Sequence, residues 1–407
     1  MPKETIVVTG MGVIAPIGEN VSTYAEGLKN GRDGCAPVTR FDVSADVYVT
    51  RNGMCLQIED DVLERFDPSK VAYIAVQSAQ AALVDAQLPL AEMNPYRIGV
   101  SLGSIYARSH ALCKFCKQQA HVLAEQPDHA LLRSTPPSVS GLVCKYLGLS
   151  GPSIMVSTAC SSSTTSVGYA MDLLRSGRVD AMLAGGADLI DEVAFSGFNS
   201  LQNLARGGVY RPLSKTRTGL LLGEGAAIFV LERKAAALQR CAPVYAELLG
   251  HAICNEAYHP TAPDKSGAGI IQVMQTALHN AGVTVDDVDY INAHGTGTDT
   301  NDPLELEAIK RLFGHRLNQM CVSSTKSMIG HAMGAAGSLE LAATILGMKY
   351  GFTPPTINFE APIEQCEQID VVPNAARMQP INIALSNSFA FAGHLAAIVV
   401  KRWKDKD

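Results

Sequence analysis

Three short segments of this 407-residue chain combine reactive side chains with settings suited to chemistry. The first is Ser157-Thr158-Ala159-Cys160-Ser161-Ser162-Ser163, which joins an apolar strand-like run to a stretch of helical periodicity. In that stretch Val167, Ala170, Met171 and Leu174 share one face, and Gly177 is the stop signal. Cys160 is therefore expected at a helix amino end. Unpaired N–H groups and the helix dipole there favour the thiolate, which is the attacking species. The small polar neighbours leave room for a substrate. Taken alone, the segment also describes a buried cysteine at a tight turn, and strand–turn–helix placement does not settle between them.

The second and third segments are Asn292-Ala293-His294-Gly295-Thr296-Gly297-Thr298 and Lys326-Ser327-Met328-Ile329-Gly330-His331. Each histidine is flanked by glycine in a loop where backbone can approach a ligand closely. Imidazole suits a developing oxyanion that needs a donor, or a proton that must move near neutral pH. One cysteine and two histidines also make a zinc ligand set, but their separations lack the short spacings of such sites. The ten cysteines are otherwise scattered. The one close pair, Cys113 and Cys116 with His110 nearby, lacks a second pair to complete a metal site, so no metal is expected. His121, His129, His279 and His315 lie in polar stretches and read as surface groups.

These segments need a frame. Strand-like and helical runs alternate throughout, which indicates an α/β architecture. Ile6-Val7-Val8-Thr9-Gly10, Arg97 to Ser101 and Ala181 to Gly186 read as buried strands ending in glycine. Ala72 to Ala86 reads as a helix buried on every face. A coarse repeat is also visible. Gly225 to Arg233 resembles Gly393 to Arg402, and Ile154 to Thr158 resembles Met320 to Ser324. Two similar halves, 1–250 and 251–407, would explain both pairs.

Hydrophobic residues make up 47% of the chain and charged ones 18%, beside 35 glycines, which favours layered sheets and helices. A net charge of −6 without basic runs argues against nucleic-acid binding. The amino terminus lacks the pattern of a secretory signal, and no run spans a bilayer, so a soluble cytoplasmic protein is expected.

Together the three segments resemble the signature of β-ketoacyl-acyl-carrier-protein synthases, in the synthase I/II branch. The likeness runs from Val8-Thr9-Gly10-Met11-Gly12-Val13 to Asn387-Ser388-Phe389, through Ala184-Gly185-Gly186-Ala187 and Gly223-Glu224-Gly225-Ala226. The resemblance implies the thiolase fold, five αβαβα layers built from two pseudo-symmetric halves. It implies an acyltransferase performing a decarboxylative Claisen condensation. Cys160 would take an acyl group from the phosphopantetheine arm of acyl carrier protein and pass it to malonyl-carrier protein as a 3-ketoacyl product. His294 and His331 would stabilise the enolate. Lys326, with Glu340, would hold the local network. The N–H groups of Cys160 and Phe391 would form an oxyanion hole, and Thr296 and Thr298 would bond the pantetheine arm. No cofactor of the enzyme's own is implied. The partners implied are acyl carrier protein and a second subunit, either identical or a homologous chain-length factor.

Departures from the family pattern stand around Phe391, the gating phenylalanine. Ala390 and Ala392 replace flanking glycines, and His394 and Leu395 are atypical. Alanine resists positive φ, so a stiffer gate is expected. Tyr106 falls where the family sets acyl-pocket depth, and a ring there would shorten the pocket. These features point to a specialised synthase, such as the condensing subunit of a type II polyketide or aryl-polyene system. A thiolase would carry a second reactive cysteine near its end, and none follows Cys366; a non-catalytic chain-length factor would lack Cys160. Carrier proteins are acidic, so Arg65, Lys70, Lys114, Lys117, Arg133 and Arg206 are candidate docking residues.

Overall fold

The computed structural model describes residues 4–58, 70–106 and 137–404. Cys113, Cys116, Arg65, Lys114, Lys117 and Arg133 lie outside them.

The elements come in two matching series. The first is β1 (Ile6–Ile14), α1 (Lys70–Asp85), β2 (Ile98–Gly103), α2 (Pro137–Leu147), β3 (Ser153–Val156), α3 (Ser162–Arg175), β4 (Ala181–Asp188) and β5 (Gly225–Arg233). The second is β6 (Ala246–Asn255), α4 (Ala268–Ala281), β7 (Tyr290–Asn292), α5 (Asn301–Phe313), β8 (Cys321–Ser323), α6 (Ala336–Tyr350), β9 (Ile383–Phe389) and β10 (His394–Arg402). In the sheet the first five strands run β3-β2-β4-β5-β1 and the second five β8-β7-β9-β10-β6. β1 and β5, and β5 and β4, pair antiparallel, whereas β4, β2 and β3 are parallel. The second series repeats these senses strand for strand. The two sets join where Ile6–Val8 of β1 pairs antiparallel with Ala246–Leu248 of β6. Both expected repeat pairs therefore occupy equivalent places, β5 with β10 and β3 with β8.

Alternation along the strands builds the layers. On β5, Ala227, Phe229 and Leu231 enter a central core, whereas Ala226, Ile228 and Val230 face a core shared with α1 and α2. On β10, Ile398 and Val400 face the central core, and Leu395, Ala397 and Val399 meet α4 and α5. α3 and α6 fill the centre, and α6 is buried from Ala336 to Met348. The result is five layers, αβαβα.

The glycines of Gly10-Met11-Gly12 permit this stacking. A Cβ on Gly12 would lie 1.9 Å from the Ser78 carbonyl oxygen, because α1 rests directly on β1. α1 itself runs from Lys70 to Asp85 and is not buried all round: Gln77, Gln80 and Val84 face solvent. Among the described residues, no helix is long and apolar enough to cross a membrane.

Candidate active site

The reactive residues stand at strand exits, where parallel α/β sheets place their ligands. Cys160 follows β3, His294 follows β7, and Lys326 and His331 follow β8. Cys160 sits in a tight turn, Ala159–Ser161, that feeds α3. Ala159 adopts φ +49°, a costly value for a residue with a Cβ. Neighbouring hydroxyls hold the turn: Ser161 Oγ donates to Thr158 O at 2.8 Å, and Ser162 Oγ donates to Ala159 O at 2.6 Å.

The sulfur of Cys160 and one ring nitrogen from each of His294 and His331 lie within 4.8 Å of one another, all buried. The two imidazoles meet edge to face with centroids 5.5 Å apart. Backbone N–H groups of Cys160 and Phe391 both bear on the sulfur. Residues 134 positions apart in sequence, Cys160 and His294, thus share one pocket.

Hydrogen bonds fix the tautomers. The Met333 N–H donates to His331 Nδ1 at 3.1 Å, and the Lys326 ammonium stands 3.2 Å from His294 Nδ1. Each Nδ1 faces a donor, so each neutral ring carries its proton on Nε2. Burial, and then the Lys326 charge, hold both histidines well below the usual imidazole range. At neutral pH they are uncharged donors. A metal-bound histidine shows the reverse arrangement, its second nitrogen donating to an acceptor. The cluster therefore fits an oxyanion better than a zinc ion.

Lys326 is buried and ion-paired with Glu340, and it also donates to the His294 carbonyl oxygen. Its three protons are spoken for.

One expectation is corrected. The helix end was expected to hold Cys160 as a thiolate, but burial pushes the thiol up to about 12, against the opposing pull of Lys326 and the two N–H groups. The resting nucleophile is protonated.

Two acidic residues that the sequence reading missed support the His294 loop. Glu305 accepts from the His294 and Gly295 N–H groups, each at 2.8 Å. Asp302 accepts from Gly297 N–H at 3.0 Å and from Leu213 N–H at 2.7 Å. Their signal was the acidic pair three apart in Asp302-Pro303-Leu304-Glu305, directly after the glycine-threonine run.

Cys160, His294, His331, Thr296, Thr298 and Phe391 line one cleft. Thr296 Oγ1 and Thr298 Oγ1 are hydrogen-bonded at 2.9 Å. The Phe391 ring stacks on Phe198 with centroids 5.9 Å apart. Ala392 adopts φ +59° and Gly393 +73°, whereas Ala390 is extended. Of the two alanines expected to stiffen the gate, only Ala392 stands where glycine is favoured. Tyr106 does not line this cleft; it packs beside it with Ile105, Phe198, Met333 and Phe391. Of the described docking candidates, Arg206 is exposed close to the cleft wall at Asn203 and Leu220, and Lys70 is half-buried at the start of α1.

A repeated α/β frame with a cysteine and two histidines at its strand exits defines an acyltransferase of the thiolase fold. The models of the β-ketoacyl synthase N-terminal and C-terminal domains match residues 3–237 and 245–360. The chain belongs to the β-ketoacyl synthase family. It is 36% identical to 3-oxoacyl-[acyl-carrier-protein] synthase 2 of Coxiella burnetii, with 99% of each chain covered. The same enzyme of a Synechocystis species is also 36% identical, again over 99% of each. Among solved structures, the ishigamide ketosynthase/chain length factor superposes with a TM-score of 0.91 at 35% identity, covering 99% of this chain and 100% of that one. A type II polyketide ketosynthase, solved with its acyl-carrier protein and a hexaketide, gives 0.91 at 29% identity over 99% and 100%.

Proposed function

We propose that Cys160, His294 and His331 carry out a decarboxylative condensation between an acyl thioester and malonyl-carrier protein. The observation carrying this reading is the convergence of the three side chains within 4.8 Å, with two N–H groups at the sulfur. Acyl transfer comes first. The Cys160 sulfur bonds to the acyl carbon, the bond to the pantetheine sulfur breaks, and the thiol proton ends on the departing sulfur. Because the thiol is protonated at rest, its proton leaves as attack proceeds, with the Cys160 and Phe391 N–H groups holding the carbonyl oxygen.

Malonyl-carrier protein then enters the cleft along Thr296 and Thr298. The bond between its α-carbon and carboxyl group breaks, releasing carbon dioxide and an enolate. The two Nε2–H groups bond the enolate oxygen, and their neutrality keeps them from quenching the carbanion with a proton. The α-carbon attacks the acyl-cysteine, the carbon–sulfur bond breaks, the 3-ketoacyl chain leaves on the carrier, and the freed Cys160 sulfur takes a proton from solvent to return to the thiol. Lys326 orients His294 from behind and balances the buried carboxylate of Glu340.

The substrates ride on acyl carrier protein, whose acidic surface Arg206 and Lys70 suit, along with Arg65 and Arg133 outside the described residues. The protein works in the cytoplasm as a dimer, of two copies or with a homologous chain-length factor. Its two halves, 1–250 and 251–407, meet near Gly250, which lies in β6. Tyr106 bounds the acyl chain from beside the cleft.

Incubation with acyl-carrier protein followed by intact-mass measurement tests this reading. An acyl adduct is expected on the wild type and on His331→Ala, and none on Cys160→Ala. Condensation by Cys160→Ala would refute it.

A further inference from the structure

β4 ends on a carboxylate that neither motif nor mechanism has used. Asp188 is fully buried and has no ion-pair partner among the described residues. Four donors converge on it. Ser104 Oγ donates at 2.6 Å and Ile105 N–H at 2.9 Å, and Tyr106 N–H lies at 3.3 Å. The fourth is Gly334 N–H at 2.8 Å, from the other half of the molecule. Burying an anion without a cation is expensive, so a site that keeps one must use its acceptor capacity. Burial pushes the carboxyl up to about 7 while the four donors pull it down.

What these donors belong to gives Asp188 its meaning. Ser104 to Tyr106 form the exit of β2, and Ile105 and Tyr106 join the apolar cluster that contains Phe198, Met333 and Phe391. Gly334 lies three residues after His331, and the intervening Met333 adopts φ +51°, a strained conformation for a side chain of that size. That twist sends two successive N–H groups to two targets: Met333 to the His331 ring, and Gly334 to Asp188. There is no slack in the joint, because a Cβ on Gly334 would lie 2.6 Å from Asp188 Oδ2 and 2.7 Å from Ser104 Cα.

We propose that Asp188 is a positioning residue that ties the exit of β2 at Ser104–Tyr106 to the turn that orients His331, so that its four hydrogen bonds hold the imidazole where decarboxylation needs it. This rests on the role given above to His331. The carboxylate that holds the Ile105 and Tyr106 N–H groups is the same one that anchors the His331 turn.

The test compares wild type with Asp188→Asn, which keeps size but presents a donor to donors. Cys160 acylation, read by intact mass, is expected to stay within about threefold of wild type. Turnover in condensation is expected to fall about 10- to 100-fold, as for a misplaced catalytic group. In 15N-histidine spectra, His331 is expected to lose its pure Nε2–H signature. Equal losses in acylation and condensation with an unchanged His331 signal would overturn the proposal, as would unchanged turnover. If Asp188→Asn does not fold, Ser104→Ala, which removes one donor to the same carboxylate, carries the same comparison: a larger loss in condensation than in Cys160 acylation, with an altered His331 signal, supports the link, and equal losses or an unchanged turnover overturn it. A wild type that takes no acyl group on Cys160 would instead defeat the functional reading itself.

Discussion

At the exit of β3 the first half of the molecule carries Cys160; at the exit of β8, the equivalent strand of the second half, stands His331. The β2 exit carries Ser104 to Tyr106, and its counterpart on β7 leads to His294. The surroundings differ as much as the reactive groups. Around Cys160 the buried polar residues are the hydroxyls of Ser161 to Ser166. Around the histidines they include four charged residues, Lys326, Glu340, Glu305 and Asp302, all buried. One frame thus brings hydroxyls beside the nucleophile and charged groups behind the imidazoles to a single cleft. The repeated backbone sets position, and the strand exits set chemistry.

The sharpest way to separate the halves is to disable one at a time. Cys160→Ala should remove acyl attachment and lower condensation by roughly 10⁴-fold or more. It should leave the histidine pair intact, as read by slow decarboxylation of malonyl-carrier protein. His294→Ala or His331→Ala should do the converse. Decarboxylation should drop about 10²- to 10³-fold, as for loss of an oxyanion donor, while Cys160 still takes an acyl group. If each substitution abolished both steps equally, the division of labour would be wrong.

The ionic character of the second half predicts fragility there. Lys326→Ala leaves Glu340 buried and unpaired, and should cost about 3–5 kcal/mol in denaturant unfolding. Lys326→Met combined with Glu340→Leu should recover most of that loss. Ser161→Thr, beside the nucleophile, carries no such charge penalty.

Histidine protonation gives a smaller effect with a definite sign. Unfolded histidines take protons near pH 6.5, but burial keeps the folded pair from doing so. Their contribution to stability is therefore complete above pH 6.5 and declines as pH falls below it, by about 1.4 kcal/mol per histidine at one pH unit lower. The buried carboxyls Asp188, Glu305 and Glu340, raised to about 7, act in the opposite sense between their ordinary range and that value. A His331→Gln variant should thus lose less stability than wild type between pH 7.5 and 5.5, by about that amount. Smallest of all, Ala392→Gly should relieve the positive φ beside Phe391 and change stability by less than about 1 kcal/mol.

Much of this site was legible in the chain. Cys160, His294 and His331 stand out because glycines and hydroxyls surround them, and a local setting is what a sequence displays. The repeat was legible for the same reason, since β5 and β10 keep one pattern of small residues followed by an apolar run. Asp188 was not. Its partners Ser104 and Gly334 lie 84 and 146 positions away, and three of its four bonds go to backbone, which leaves no trace in residue type. The protonation of Cys160 was missed because a helix end is visible in sequence, whereas complete burial, which outweighs it, is decided by the packing of distant layers. Ala392 at a positive φ shows the same limit, because alanine's usual preference is the only guide until the turn is seen.

α3 and α6 meet in the middle layer with almost no clearance. A Cβ on Gly337 would lie 1.9 Å from Thr164 Oγ1. Thr164 follows the nucleophile by four residues, and Gly337 follows His331 by six. That hydrogen atom is consequently a spacer of fixed gauge between sulfur and imidazole: a single methyl group inserted there would act as a wedge, opening the gap without altering any group that reacts.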